Sequence, residues 1–274
     1  MSPRQVPPGT LSAALPRPGK ALGAVMVGLL AIWIMFAVSI NWGGGGDWLF
    51  KALAGSTDGV LHGQVWRLFT APFLHLPQGD AALGHMLVTL LGLFFLAPSL
   101  EKKWGGKRLL AFLYGAALCG FLFQILVETL LPASMSARFG QPLWFGAVGA
   151  VEAVAIAWAL SFRGQSVALM FVLPVSSRVL VLFVVGLSVA RLLVGGAAPE
   201  GLFSPFGAML FGWLVGGDPS PLRRWMLRRK LASLTAQKKK LQSPHRIPPH
   251  LRVIEGSRGS KESPDQPVDK RWLN

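Results

Sequence analysis

The side chains in this sequence singled out for acid–base or nucleophilic chemistry are His62, His75, His85, His245 and His250, a lone Cys119, and Glu152, a carboxyl group set in an apolar run. A serine nucleophile needs a base within hydrogen-bond reach of its hydroxyl, and imidazole is the usual one. Only His85 lies inside an apolar run long enough to cross a membrane, while His245 and His250 fall in a basic tail. A dyad would require Ser134, Ser136, Ser161 or Ser204 to reach His85, and nothing in the spacing requires that meeting. One cysteine excludes an internal disulfide and a multi-cysteine metal site, so neither a metal nor a cofactor is expected. Glu152 lies one helical turn after Val148, on the same face. A carboxyl group at that depth is expected to be protonated or paired inside the bundle. Two partners suit it: His85, or a neighbouring backbone group or Thr89 in a purely structural bond, and the second is the preferred reading.

The elements that must position these groups are membrane spans. Of 274 residues 52% are hydrophobic and 14% charged, and the mean hydropathy is +0.48. That excludes a disordered or highly charged soluble chain. Residues 22–40 carry no charge and make a helix of about 28 Å, close to the thickness of a bilayer core. Further apolar stretches at 81–100, 109–131, 144–160, about 167–195 and 202–217 bring the count to six. Within the fifth, Pro174, Ser176, Ser177 and Arg178 divide a segment VALMFVLPV that skims the membrane edge from a span of about 175–195. Residues 41–80 interleave Trp42, Trp48, Phe50, Trp66, Phe69 and Phe73 with Asp47, Lys51, Asp58 and Arg67, a pattern suited to the headgroup region.

Lys and Arg gather at the N-terminus, after the second span at Lys102, Lys103, Lys107 and Arg108, after the fourth at Arg163, and in the tail. The positive-inside rule then predicts cytoplasmic N- and C-termini. Residues 222–274 hold 14 of the 27 Lys and Arg but 4 of the 12 Asp and Glu. Leu227, Leu231, Leu234 and Leu241 share a stripe opposite this charge, which predicts an amphipathic surface helix drawn to anionic lipid headgroups, followed from Ser243 by a flexible tail. Nucleic-acid binding is not expected of a basic run without a folded motif. The expected organisation is a cytoplasmic segment at 1–21, a six-span all-α domain at 22–217 and a basic tail at 218–274.

The strings GQVWRLFTAPFLH at 63–75 and GHMLVTLLGLFFLAPSLEKKWGGKRLLAFLYG at 84–115 resemble the rhomboid intramembrane serine protease family. That family has a Trp-Arg pair in the first outer loop, a second span opening with His and then Asn four residues later, and a glutamate beside a Gly-containing basic turn. The corresponding residues are Trp66, Arg67, His85, Thr89 and Glu101. The resemblance, extending over about 22–217, implies a six-helix rhomboid-like bundle with a large outer loop between spans one and two. It also implies a serine in a Gly-x-Ser-Gly frame at the start of span four and a histidine on span six. Here the frame reads Gly146, Ala147, Val148, Gly149, so Val148 stands at the serine position. Taking Ala208 and Gly212 as the small-xxx-small pair of span six puts Pro205 at the histidine position, and a shift of one gives Ser204. Thr89 replaces the asparagine. Valine has no hydroxyl, and neither proline nor serine can act as the imidazole base.

The resemblance therefore implies a rhomboid pseudoprotease, a chain that binds transmembrane segments of client proteins without cleaving them, as in the inactive relatives called derlins and iRhoms. A client helix would enter beside spans two and five and meet a retained cavity around His85, Thr89, Gly146, Gly149 and Glu152. Trp66 and Arg67 are expected to anchor the outer loop to the interface and to span ends, and Glu101 to pair locally and cap a turn. Gly115, Gly120, Gly146, Gly149, Gly207 and Gly212 read as close helix contacts. Two alternatives stand beside this: an active intramembrane serine protease with a displaced nucleophile such as Ser204, and a membrane-anchored scaffold acting through its tail. A bacterial inner membrane is the expected location; client and oligomeric state are not written in the sequence.

Overall fold

The computed structural model describes residues 16–242 apart from 133, 136–138, 170–172, 196–197 and 218. The prolines before residue 16 and the tail after Gln242 lie outside the described residues. Among the described residues four helices are long and apolar enough to cross a membrane: α1 (Lys20–Asn41), α5 (Ala82–Trp104), α6 (Gly106–Leu130) and α8 (Ser177–Val194). Between α1 and α5 come three short helices, α2 (Asp47–Leu53), α3 (Thr57–Leu61) and α4 (Trp66–Thr70), and a 3-10 turn at Ala71–Phe73. The fourth and sixth expected spans are shorter: α7 (Val148–Ser161) has 14 residues and α9 (Ser204–Val215) has 12. At 1.5 Å per residue they reach about 21 and 18 Å, less than a bilayer core. Their setting allows this, because backbone inside a protein bundle need not span hydrocarbon by itself. Every residue of α7 from Val148 to Ala159 is buried.

α7 is the axis of the bundle, packed against α5, α6, α8 and α9, and α9 is wedged between α6 and α7. Small residues permit that wedge. A Cβ on Gly212 would lie 2.6 Å from the Ala153 carbonyl oxygen and 2.9 Å from its Cα, so the two backbones meet where glycine leaves space. Ala208, also buried, faces the positions of Gly120 and Gly149. α1 lies outside, against α5 and α6.

The segment expected to skim the membrane edge forms an antiparallel strand pair, β1 (Ser166–Leu169) with β2 (Leu173–Ser176). Pro174 explains why no helix forms there: the residue before a proline is pushed toward extended backbone. Ser176 then caps α8, its hydroxyl accepting from the Val179 N–H.

The outer loop is braced by carbonyl capping. Arg67 Nη1 donates to the carbonyls of Lys51 at 2.5 Å and Ala54 at 2.6 Å, Trp66 Nε1 to Ala52 at 3.1 Å, and the Thr70 hydroxyl to Leu53 at 2.6 Å. The Trp-Arg pair therefore satisfies the open C-terminal carbonyls of α2. Glu101 also has a different partner from the one expected. Its carboxylate accepts from the backbone N–H groups of Gly19 at 2.8 Å, Ala21 at 3.1 Å and Leu22 at 3.3 Å, at the other end of the first span. A helix N-terminus offers several unpaired donors and a positive dipole end, a better match for a buried carboxylate than a neighbouring exposed lysine.

The chain divides into two compact units, Met1–Met226 and Leu227–Asn274. Pro221–Gln242 is the helix α10, and its Leu227, Leu231 and Leu234 are exposed.

Candidate functional site

His85 opens α5, one turn before Thr89. Its ring is oriented from the preceding loop, where the Leu76 backbone N–H donates to Nδ1 at 3.3 Å. With Nδ1 used as an acceptor, the neutral ring carries its proton on Nε2. Nε2 is buried without a hydrogen-bond partner among the described residues, and it lies 3.6 Å from Oε2 of Glu200. Leaving a buried donor unpaired costs about 1–3 kcal/mol. Gly146 lies beside the same ring: at φ +113° it has a backbone conformation that favours glycine, and a Cβ there would come within 3.0 Å of Cε1 and Nε2.

Glu200, in the loop before α9, is buried and accepts from Arg191 Nη1 at 2.6 Å; Arg191 stands in the last turn of α8. Burial works to raise the Glu200 carboxyl pKa, but His85 and the Arg191 guanidinium outweigh it and hold it below the usual carboxylate value. His85, Glu200 and Arg191 thus form one polar array on the wall of a cavity of about 530 Å³. The rest of the lining is apolar: Ala81, Gly84 and Val88 toward α5, Val148 at the start of α7, Leu187, Ala190 and Val194 on α8, and Ala198, Pro199 and Leu202 in the following loop. The cavity lies between α5 and α8.

The structure places Val148 and His85 on this one cavity. Gly149 faces α9, where a Cβ would touch Ala208 and Ser204 at 3.3 and 3.4 Å. Glu152 is on neither His85 nor Thr89: its Oε1 is 3.1 Å from the Ser188 hydroxyl, across the contact between α7 and α8. The hydroxyl of Thr89 donates to the His85 carbonyl at 3.2 Å and meets His75 Nε2, also at 3.2 Å, so it is already engaged. Pro205 occupies the first turn of α9, where a missing N–H costs nothing. Ser204 is buried at the same helix start, and its N–H and that of Phe203 donate to Gln124 Oε1 at 2.9 and 2.7 Å. Among the described residues neither His75 nor His85 has a hydrogen-bonded serine.

Three residues of this site carried no role in the sequence reading: His75, Arg191 and Glu200. Arg191 had a usable signal, because an ionisable residue inside an apolar stretch marks a polar pathway and implies a counter-charge nearby. His75 is nearly fully buried, with its ring centroid 5.1 Å from that of His85. Burial first, and His85 second, lower its pKa from 6.5 to about 4, the Phe73 carbonyl and Glu200 offsetting part of the shift. Between these values the unfolded chain binds a proton that the folded chain refuses. The stability is therefore complete above pH 6.5 and is lost as pH falls toward 4, by about 3 kcal/mol. Unfolding measured across that range is expected to show this loss, and His75→Gln to flatten it; an identical slope in the variant would refute the assignment.

Residues 62–217 match the rhomboid domain family. RHOMBOID-like protein 12, mitochondrial, of Arabidopsis thaliana is 25% identical over 153 residues, which are 53% of this chain and 44% of that protein. Rhomboid protease GlpG of Salmonella choleraesuis is 29% identical over 136 residues, 49% of this chain and 41% of its own. Inactive RHOMBOID-like protein 8 of Arabidopsis thaliana is 29% identical over 98 residues, 35% of this chain and 25% of its own. The chain thus spans less than half the length of these curated relatives, whose names include both a protease and an inactive protein. With a family match over more than half its length, on a helical bundle long and apolar enough to cross a membrane, the chain belongs to the rhomboid family of multi-pass membrane proteins.

Proposed function

We propose that this rhomboid-family chain holds transmembrane segments of client proteins in the cavity between α5 and α8 and does not cleave them. One observation carries the reading: Val148, a side chain of carbon and hydrogen alone, occupies the start of α7 on the cavity that His85 lines. A base has no proton to remove from valine, so the acyl transfer of a serine protease cannot begin there. The position expected for the base is Pro205, whose ring has no basic nitrogen to accept a proton. Recognition needs neither group. A client helix entering between α5 and α8 meets apolar walls suited to its side chains, and where its backbone unwinds, the proton on His85 Nε2 offers a hydrogen bond.

In this reading both termini are cytoplasmic, the membrane is a bacterial inner membrane, residues 22–217 form the client-holding domain, and the basic segment 218–274 rests on anionic headgroups. The test is the purified protein in liposomes with a generic rhomboid substrate helix bearing a photo-crosslinker, beside an active rhomboid in the same liposomes. Crosslinking without cleavage, and no labelling by a fluorophosphonate, are the expected results. Cleavage or labelling that disappears in Ser204→Ala would overturn the reading and identify a relocated nucleophile.

A further inference from the structure

We infer that the cavity selects client spans bearing a primary carboxamide, the side chain of asparagine or glutamine, and seats it on His85 Nε2 and Glu200 Oε2. The inference rests on the client-holding reading above and adds what the client must carry. His85 Nε2 is a buried donor with no hydrogen-bond partner among the described residues, and Glu200 Oε2, 3.6 Å away, is an acceptor on the same cavity wall. Glu200 spends its other oxygen on Arg191. Within the array the Glu200 carboxylate is already matched by the Arg191 guanidinium. An anionic guest would face Glu200 and a cationic one Arg191, so neither is favoured.

What fits a donor and an acceptor standing side by side is a guest whose own acceptor and donor stand side by side. A primary carboxamide has a carbonyl oxygen and an N–H on the same side, and it grips the adjacent donor and acceptor of adenine in this way. A trans peptide bond points its N–H and its carbonyl in opposite directions, so unwound client backbone can satisfy His85 or Glu200 but not both through one amide. The surrounding walls are apolar, and a carboxamide leaving lipid for this cavity gains two hydrogen bonds that hydrocarbon cannot supply.

The experiment uses the full chain in phosphatidylcholine–phosphatidylglycerol vesicles and bilayer-length Leu-Ala helices labelled for energy transfer, with a central Gln, N,N-dimethyl-Gln or Leu. The Gln helix is expected to bind about tenfold more tightly than either of the others, the dimethyl form keeping the acceptor but losing the donor. In Glu200→Met, checked for its melting temperature, the preference is expected to vanish while binding of the Leu helix persists. If that variant does not fold, the three helices on the native chain still decide. Equal binding of all three would overturn the carboxamide inference and leave client holding intact; dimethyl-Gln binding like Gln would do the same. Binding of none would overturn both.

Discussion

Gly212→Leu is expected to lose the native bundle. The side chain would start 2.6 Å from the Ala153 carbonyl oxygen and 2.9 Å from the Ala153 Cα. Both are backbone atoms of α7, itself buried on all sides, so no flexible side-chain end can move away. Overpacking normally costs about 1–3 kcal/mol when neighbours can relax, and here the cost is expected at or above the top of that range, about 3 kcal/mol or more. Gly212→Ala should lie between variant and native. Gly23→Leu is the control, since a Cβ there meets none of the described residues within 4 Å and the residue lies in the outlying α1. Thermal unfolding in detergent should separate these by a large fall for Gly212→Leu and none for Gly23→Leu. A fall of similar size in both would mean that the close contact of α7 with α9 is not what the glycine provides.

Glu101→Leu is expected to detach the start of α1 from the bundle. Three backbone donors, from Gly19, Ala21 and Leu22, would lose their acceptor together, in a part-buried position where a charged acceptor is worth more than a neutral one. The loss should be about 3–4 kcal/mol, and Glu101→Gln, which keeps one acceptor oxygen, should recover about half. Limited proteolysis before residue 20, read beside the melting temperature, is the check. If Gln and Leu behave alike, the carboxylate is not the cap.

The comparison of these residues shows which parts of the molecule can be read from a sequence. His85 and Thr89, four apart on one helix, and the apolar runs that became α1, α5, α6 and α8 are local regularities, and the chain's membership of the rhomboid family follows the strings around Trp66 and His85. The family match covers residues 62–217, a shorter stretch than the resemblance over about 22–217. What escaped were partners far apart in the chain. Glu101 looked like a match for Lys102 and Lys103 because they are adjacent, but its acceptors serve Gly19 to Leu22. Glu152 has the right period to meet His85, yet Ser188 on α8 reaches it first. Glu200 gave no local sign, since only the fold brings a loop carboxylate between Arg191 and His85. The pairing of β1 with β2 lies in an apolar run that suits either a helix or a strand until Pro174 decides.

The burial of α7 also determines where this protein can drift. From Val148 to Ala159 every side chain meets other protein, and the run is built largely of alanines at 150, 153, 155, 157 and 159. Each of those alanines is a ceiling on size, since a larger side chain must be accommodated by a neighbouring helix. α1 and α8 are the opposite, with most of their surface turned outward. There one apolar residue can replace another at little cost, because lipid adapts to shape in a way that protein does not. Neutral change in this chain should therefore accumulate in its first span and on the face of the fifth turned away from the cavity, while the innermost helix admits few substitutions, although its composition is the plainest of all.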